Sequence, residues 1–395
     1  MTLVSFLHTA DWQLGQTLKA LEPAKAEELR AARLETVDCL LQVAEDHEVD
    51  FLLSAGDTFE SNQVDRKLLQ KTRRVLKDHP HVPIYIIPGN HDPLREDYPF
   101  NSDIFGDIDQ HVHVLREEKP VEVSGCSAVI YPGICTRKQS STDPLGWIPV
   151  ENQRENIRIG LAHGTWQIKP DLPADEYPIE ENAASRHKLD YLALGHWHST
   201  NSGPAEAEGR TYYAGTPEPT GFKEKDSGNV LLVEIESPGA RPRVNKIHVG
   251  KYHWIQQRPR LSDLTSVEKF TNQLSADNPE SDRTLLNIQP EGTVPFEVQE
   301  AFRRAQEALE DQYYFVKVRN SELNLVPSED EIQELSSGTG WLAPAVKYLE
   351  KLAAEEVNSA PENWKMEEAP GPEEAQRALE IIYSELRREE EQNAV

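Results

Sequence analysis

The chain is short of most features that would put it in a membrane, in a disulfide scaffold, or on nucleic acid by charge alone. Among 395 residues there are three cysteines, Cys39, Cys126 and Cys135, and no CxxC pair. That fits a reducing compartment and excludes both a disulfide framework and a zinc ribbon. No stretch of about 18 apolar residues occurs, and the start MTLVSFLHTADWQ lacks a basic segment leading into an apolar one. Neither membrane spanning nor secretion is expected, and the cytoplasm is. Basic side chains are scarce as well, with 41 Lys and Arg against 68 Asp and Glu, a formal charge of −27. Such a field repels a phosphate backbone at long range, so contact with nucleic acid must be local. A GxxxxGKS or GxxxxGKT segment is also missing, which excludes a P-loop ATPase.

What is present describes a globular chain of two or three domains. From the N-terminus, short apolar runs that read as buried strands (3–7, 51–54, 84–87) alternate with helical patterns (24–45, 64–77), the rhythm of an α/β fold. After residue 105 the strand-like runs crowd together, at 112–115, 128–131, 157–161, 191–194, 212–214, 230–235 and 244–249, which predicts a mixed, partly antiparallel sheet. From about 251 the pattern becomes that of a small α+β unit reaching to about 325. Residues 326–395 form an acidic tail: 321–395 hold 6 basic and 18 acidic residues. The tail carries two stripes at spacings of three or four, Leu342, Val346, Leu349 and Ala353, then Ala375, Leu379, Ile382 and Leu386. The linker between them is 358–370. Helices of this kind pack on their own domain or dock on a partner.

Five motifs follow in order, each just after an apolar run: His8-Thr9-Ala10-Asp11-Trp12-Gln13, Gly56-Asp57-Thr58, Gly89-Asn90-His91-Asp92, Ala162-His163-Gly164 and Gly195-His196-Trp197-His198. Strand ends are where α/β sheets build sites. Taken singly each has a bland reading, Asp57 as a turn or helix cap, Asn90 as a turn, His163 as a core imidazole. His196 and His198, two apart on an extended chain, share a face and suit a metal. Carboxylates, imidazoles and amide oxygens without a thiolate favour manganese, iron or zinc in mixed coordination. There are more such donors than one ion needs. A two-metal site with one bridging carboxylate is the economical interpretation, two cations about 3.5–4 Å apart polarising a phosphoryl oxygen and activating water for in-line attack. The remaining histidines, among them His79, His111, His187 and His248, read as surface or structural.

The ordered set resembles the calcineurin-like metallophosphoesterases, and the HTADWxLG opening is similar to that of their DNA-repair nuclease branch. The resemblance is strong over residues 1–250 and extends only in layout to 251–325 and 326–395. It implies an α/β fold of two facing sheets flanked by helices (αββα), a small α+β capping domain that contacts DNA, and a helical tail bound to an SbcC-like coiled-coil ATPase. It also implies a first metal held by Asp11, Gln13, Asp57 and His198 and a second held by Asp57, Asn90, His163 and His196. Two divalent ions, most simply manganese, would serve exonuclease and endonuclease chemistry. His91 would sit beside the scissile phosphate, and Asp92 would orient its imidazole. A homodimer through helices of the first domain is a further implication. Two positions depart from the branch: Gln13 stands where a His is usual, which favours a harder metal or a weaker first site, and Glu60 stands where some relatives have His. A stand-alone phosphoesterase and a weakly catalytic bridging subunit are the competing readings. Basic stretches at Arg66, Lys67, Lys71, Arg73, Arg74 and Lys77, and at Arg241, Arg243 and Lys246, either meet phosphates or form solvated faces.

Overall fold

A computed structural model describes residues 3–108, 110–150, 155–167, 172–202, 209–278, 280–326, 342–354 and, apart from 373, 376 and 380, 371–382. Two compact units are present, Met1–Trp254 and Ile255–Val395. The first is built on two sheets. One has the order β11-β10-β1-β2-β3-β4, with β1 (Val4–Thr9), β2 (Phe51–Ser54), β3 (Ile84–Ile86), β4 (Val112–Val114), β10 (Asn229–Ile235) and β11 (Arg243–His248). The other has the order β5-β6-β7-β8-β9, with β5 (Val121–Glu122), β6 (Ala128–Pro132), β7 (Ile157–His163), β8 (Tyr191–Gly195) and β9 (Thr211–Tyr213).

Side-chain alternation along the strands sorts the apolar residues into layers. Phe6, Phe51, Leu53 and Tyr85 of the first sheet meet Ile130, Ile159, Leu161 and Tyr191 of the second in the core between them. On the far face of the first sheet, Leu7, Leu52 and Ile84 pack against Leu40, Leu41 and Leu76 of α1 (Pro23–Asp46) and α2 (Arg66–Asp78). Outside the second sheet, Leu192 and Leu194 pack with Trp166, Ile179 and α3 (Ala183–Arg186). The result is the mixed α/β, αββα sandwich. Pro23 opens α1, where its missing N–H costs nothing. Asp65 caps α2 by accepting from the Leu68 N–H at 2.9 Å.

The crowded strands after residue 105 mix parallel and antiparallel pairing, as expected, and are divided between the two sheets. β6, β7, β8 and β9 run parallel, while β5–β6, β1–β10 and β10–β11 pair antiparallel. Long crossing connections between β6, β7 and β8 make the parallel run possible, with no long helix in them among the described residues.

The second unit holds β12 (His253–Gln257), β13 (Thr284–Ile288) and β15 (Phe315–Val318) in one sheet, with α4 (Leu264–Asp277) and α5 (Phe296–Gln312) packed on it through Leu286, Ile288, Val267, Leu274 and Phe302. A parallel pair, β14 (Glu291–Val294) and β16 (Glu322–Leu325), completes it. The sequence reading has no strand at either place, since each is only four residues long and β14 offers a single apolar residue, Val294. In the tail, α6 (Leu342–Ala353) and the helical residues of 372–382 meet each other, with Tyr348 and Leu352 against Ala375. The linker 358–370 and Leu386 lie outside the described residues. Among the described residues no helix is long and apolar enough to cross a membrane.

His8 of the first motif faces the core between the sheets. Its Nδ1 lies 3.0 Å from the Tyr191 hydroxyl and its Nε2 lies 3.2 Å from the Leu194 carbonyl. Burial pushes its pKa down to about 3, against a backbone hydrogen bond that works the other way. The unfolded chain therefore takes up a proton near pH 6.5 that the folded chain refuses. Stability from this source is complete above about pH 6.5 and falls by several kcal/mol as pH drops toward 3. In denaturant titrations at pH 7 and pH 4.5, wild type is expected to lose more stability than His8→Met. Equal losses would show that His8 is not the group responsible.

Candidate metal centre

Asp11 and Gln13 follow β1, Asp57 follows β2, Asn90, His91 and Asp92 follow β3, His163 ends β7, and His196 and His198 follow β8. The first two loops are stitched together by backbone hydrogen bonds of 3.0 Å, Asp11 N to Gly56 O, Gln13 N to Asp57 O and Leu14 N to Thr58 O. This lattice holds Asp11, Gln13 and Asp57 at left-handed φ of 53°, 50° and 52°, and His196 also has positive φ, 108°. Such conformations persist only where surrounding contacts over-determine them, and they gather at functional sites. The glycines beside them are dictated by close approach. A Cβ on Gly89 would overlap the Asp57 carboxylate and N–H, and one on Gly195 would overlap the Ala55 carbonyl.

The donor atoms converge. Asp11, Asp57 and His163 each offer a ligand atom within 4.8 Å of the others, all buried. Asn90 Oδ1 lies 2.8 Å from His163 Nε2 and 3.1 Å from His196 Nδ1. His163 Nε2 is 3.4 Å from Asp57 Oδ2, and His198 Nε2 is 4.0 Å from Asp11 Oδ1. Gln13 donates from Nε2 to Asp57 Oδ2 at 3.0 Å, while its Oε1 is buried without a partner. Asp57 Oδ1 accepts the His91 N–H at 2.8 Å, and both oxygens of Asp11 accept the His196 N–H.

Charge in this cluster is unbalanced. Burial raises the pKa of Asp11. Asp57 is also penalised by burial, but the charge and hydrogen bond of His163, helped by His91, hold it below the usual carboxylate range. Burial opposes a proton on His163 too, yet Asp57 and Asp11 bring its pKa up to about 9. Burial, then the neighbouring His163, pushes His196 down to about 4. For His198, burial is outweighed by Glu224 and Asp11, and the net shift is upward.

These residues fit a divalent cation. His163 Nδ1 is committed to the Ala55 carbonyl at 2.8 Å, so Nε2 faces the oxygens of Asn90 and Asp57. Lone pairs pointed at one another are costly unless a positive charge sits among them. A proton on His163 supplies one. Divalent cations would satisfy the whole group, Gln13 Oε1 included.

All seven residues expected to hold metal are thus in one cluster, and His91 borders it with its Nδ1 3.2 Å from the Glu60 carbonyl. Asp92 is placed differently from expectation. Its two oxygens accept the Gly89 N–H at 2.8 Å and the Phe59 N–H at 3.1 Å, so it pins the loops after β2 and β3 and does not orient the His91 imidazole. Burial, with Asp57 nearby, raises its pKa well above the ordinary carboxylate value. Five of the nine cations in the basic stretches form ion pairs within the chain. Arg66 pairs with Asp103, Arg73 and Lys77 share Asp107, Arg243 reaches Glu234 and Glu236, and Lys246 holds Asp226.

Three residues of the centre escaped the sequence reading: Glu176, Thr220 and Glu224. Glu176 Oε2 lies 3.1 Å from His196 Nε2, and Thr220 Oγ1 and Glu224 Oε1 lie 2.8 and 3.0 Å from His198 Nδ1. None sits in a motif at a strand end, and no local spacing marks them.

A strand-end cluster of carboxylate, amide and imidazole donors on an αββα sandwich defines a metallophosphoesterase. Residues 4–200 match the calcineurin-like phosphoesterase family, and the chain carries a domain of that family, whose members are hydrolases that use divalent metals. Named relatives narrow the picture. The chain is 26% identical over 316 residues to the DNA double-strand break repair protein Mre11 of Sulfolobus acidocaldarius, covering 74% of this chain and 76% of that protein. It is 24% identical over 299 residues to SbcD of the SbcCD nuclease from Staphylococcus epidermidis, covering 68% and 78%. A Bacillus subtilis protein named as the uncharacterized metallophosphoesterase YhaO is 26% identical over 256 residues, covering 60% and 58%.

Proposed function

We propose that the protein is the nuclease subunit of a DNA-end processing complex, hydrolysing phosphodiester bonds at two divalent ions, manganese in the simplest case, and partnered by an SbcC-like coiled-coil ATPase. The observation that carries the reading is the position of Asp57. One of its carboxylate oxygens faces both Gln13 and His163, so a single anion lies between two donor groups. Asp11, Gln13 and His198 would complete one group, and Asn90, His163 and His196 the other. Bound there, the ions would supply Lewis-acid polarisation of a phosphoryl oxygen and an activated water. His91 lies outside both groups, where its imidazole can meet the phosphoryl or leaving oxygen of a bound phosphodiester. Residues 251–325 as a DNA-contacting domain and 326–395 as the attachment to the ATPase belong to the same proposal, supported by the acidic tail and by what the relatives are named for.

DNA as the substrate class is supported by two exposed lysines, Lys223 and Lys225, on either side of Glu224, whose carboxylate touches His198. On a chain of −27 these local cations at the site's border are suited to flanking phosphates. A Lys223→Glu/Lys225→Glu variant is expected to flatten the slope of log binding constant against log salt by about two for duplex DNA, one per lost phosphate contact. A slope equal to wild type would remove these lysines from the DNA path.

The direct test is manganese-dependent cleavage of end-labelled linear and hairpin DNA, with a generic phosphodiester dye alongside. Cleavage of both supports the nuclease reading. Dye hydrolysis without DNA cleavage, in the presence of the ATPase partner as well, would favour a stand-alone phosphoesterase.

A further inference from the structure

An imidazole ligates a cation only through a nitrogen that carries no proton, and an acceptor placed behind the ring decides which nitrogen that is. Each histidine of the cluster has such an acceptor. For His163 it is the Ala55 carbonyl, 2.8 Å from Nδ1. For the other two it is a glutamate remote in sequence.

Behind His198, the Glu224 carboxylate is locked in place by the residue four positions before it. Its Oε2 accepts the Thr220 N–H at 3.0 Å, and its Oε1 accepts the Thr220 hydroxyl. That hydroxyl has one hydrogen, already given to Glu224. Thr220 Oγ1, 2.8 Å from His198 Nδ1, can therefore only accept there. With Glu224 Oε1 at 3.0 Å from the same nitrogen, Nδ1 must hold the proton, and Nε2 is left bare on the side of Asp11. Behind His196, Glu176 Oε2 lies 3.1 Å from Nε2 and also accepts the Thr165 hydroxyl at 3.3 Å. A carboxylate brings no proton of its own to that contact, so Nε2 carries it. Nδ1 is then bare and faces Asn90 Oδ1 at 3.1 Å.

We propose that Glu176 and Glu224, the latter with Thr220, are positioning residues that select the ligating nitrogen of His196 and His198, one glutamate serving each half of the metal centre. The inference rests on the two-cation reading above and goes further, because it assigns the halves separate outer anchors. Each carboxylate also makes its imidazole a stronger donor by holding the opposite N–H.

The test is manganese titration calorimetry of the full chain, wild type against Glu224→Ala, Glu176→Ala and the double variant, with the Gln versions as conservative replacements. Wild type should bind two ions. Each Ala variant should weaken one binding step by about 10–100-fold and leave the other within about threefold, and the double variant should weaken both. The Gln versions, which keep an acceptor but lose the charge, should fall between. On the metal-free protein, at a pH high enough for both imidazoles to be neutral, 15N correlation spectra should show the proton on His198 Nδ1 and on His196 Nε2, each mixing tautomers only in its own Ala variant. A wild type that binds fewer than two ions overturns the two-cation reading and this proposal with it. Two ions bound with unchanged affinities in the Ala variants overturn the proposal alone, as does an equal weakening of both steps accompanied by a lowered Tm.

Discussion

Replacing Asp57 by Asn should lower manganese-dependent phosphodiester hydrolysis by about a thousandfold or more. Asn has the same volume and can still accept the His91 N–H at the Oδ1 position, so the loop geometry has no reason to collapse. What disappears is the one buried anion shared by both donor groups. With it goes the main source of the raised pKa of His163, whose imidazolium depends first on the Asp57 charge once burial is overcome. Two cations brought together without that anion repel each other beside the buried Asp11 and His163, where charges interact more strongly than in solvent. Losing several kcal/mol of charge stabilisation at tenfold per 1.36 kcal/mol gives the stated loss. The measurement is kcat/KM on the generic phosphodiester together with manganese binding on the same preparation. Activity within tenfold of wild type would sink the assignment of Asp57 as the shared ligand.

The second large effect separates binding from chemistry. His91 donates no side-chain atom to the donor cluster, and its imidazole is about one-third exposed, held at Nδ1 by the Glu60 carbonyl. A protonated His91 keeps that hydrogen bond and still has an Nε2 proton for a phosphoryl or leaving oxygen. His91→Asn should therefore cost about 10²–10⁴ in kcat, the usual worth of a positioned proton donor, while two manganese ions still bind with unchanged affinity. Asp57→Asn and His91→Asn thus give similar rate losses with opposite metal behaviour. If His91→Asn also released metal, the imidazole would belong to the donor set and the division between ligands and proton donor would fail.

The α/β class was legible in the sequence because buried-strand runs alternate with helical patterns, whereas the two-sheet αββα layering came only from the resemblance: strands such as Val4–Thr9 and Phe51–Ser54 are buried on both faces and read as continuous apolar runs that do not announce which face meets which layer. The donor residues were legible as well. Their types and order sit at the ends of apolar runs, where strands of an α/β sheet deliver side chains to one edge. The strands β14 and β16 were not: Glu291–Val294 and Glu322–Leu325 span four residues each, too short a window for alternation to stand out, although Val294 and Leu323 pack in the core of the second unit.

Residue order and type are thus enough for the fold class, for the strand-end placement of Asp11, Gln13, Asp57, Asn90, His163, His196 and His198, and for the acidity that confines any DNA contact to local cations. Folding in three dimensions was needed to show that Asp92 ties backbone amides instead of steering His91, that the two tail stripes meet each other at Ala375, that Arg73 and Lys77 share Asp107, and that Glu176 and Glu224 stand behind His196 and His198. The reason is physical. Periodicity and motif order record what a residue does relative to its own strand or helix, whereas the partner of a buried polar atom is set by loops from different strands closing on the same edge. That closure has no period to read.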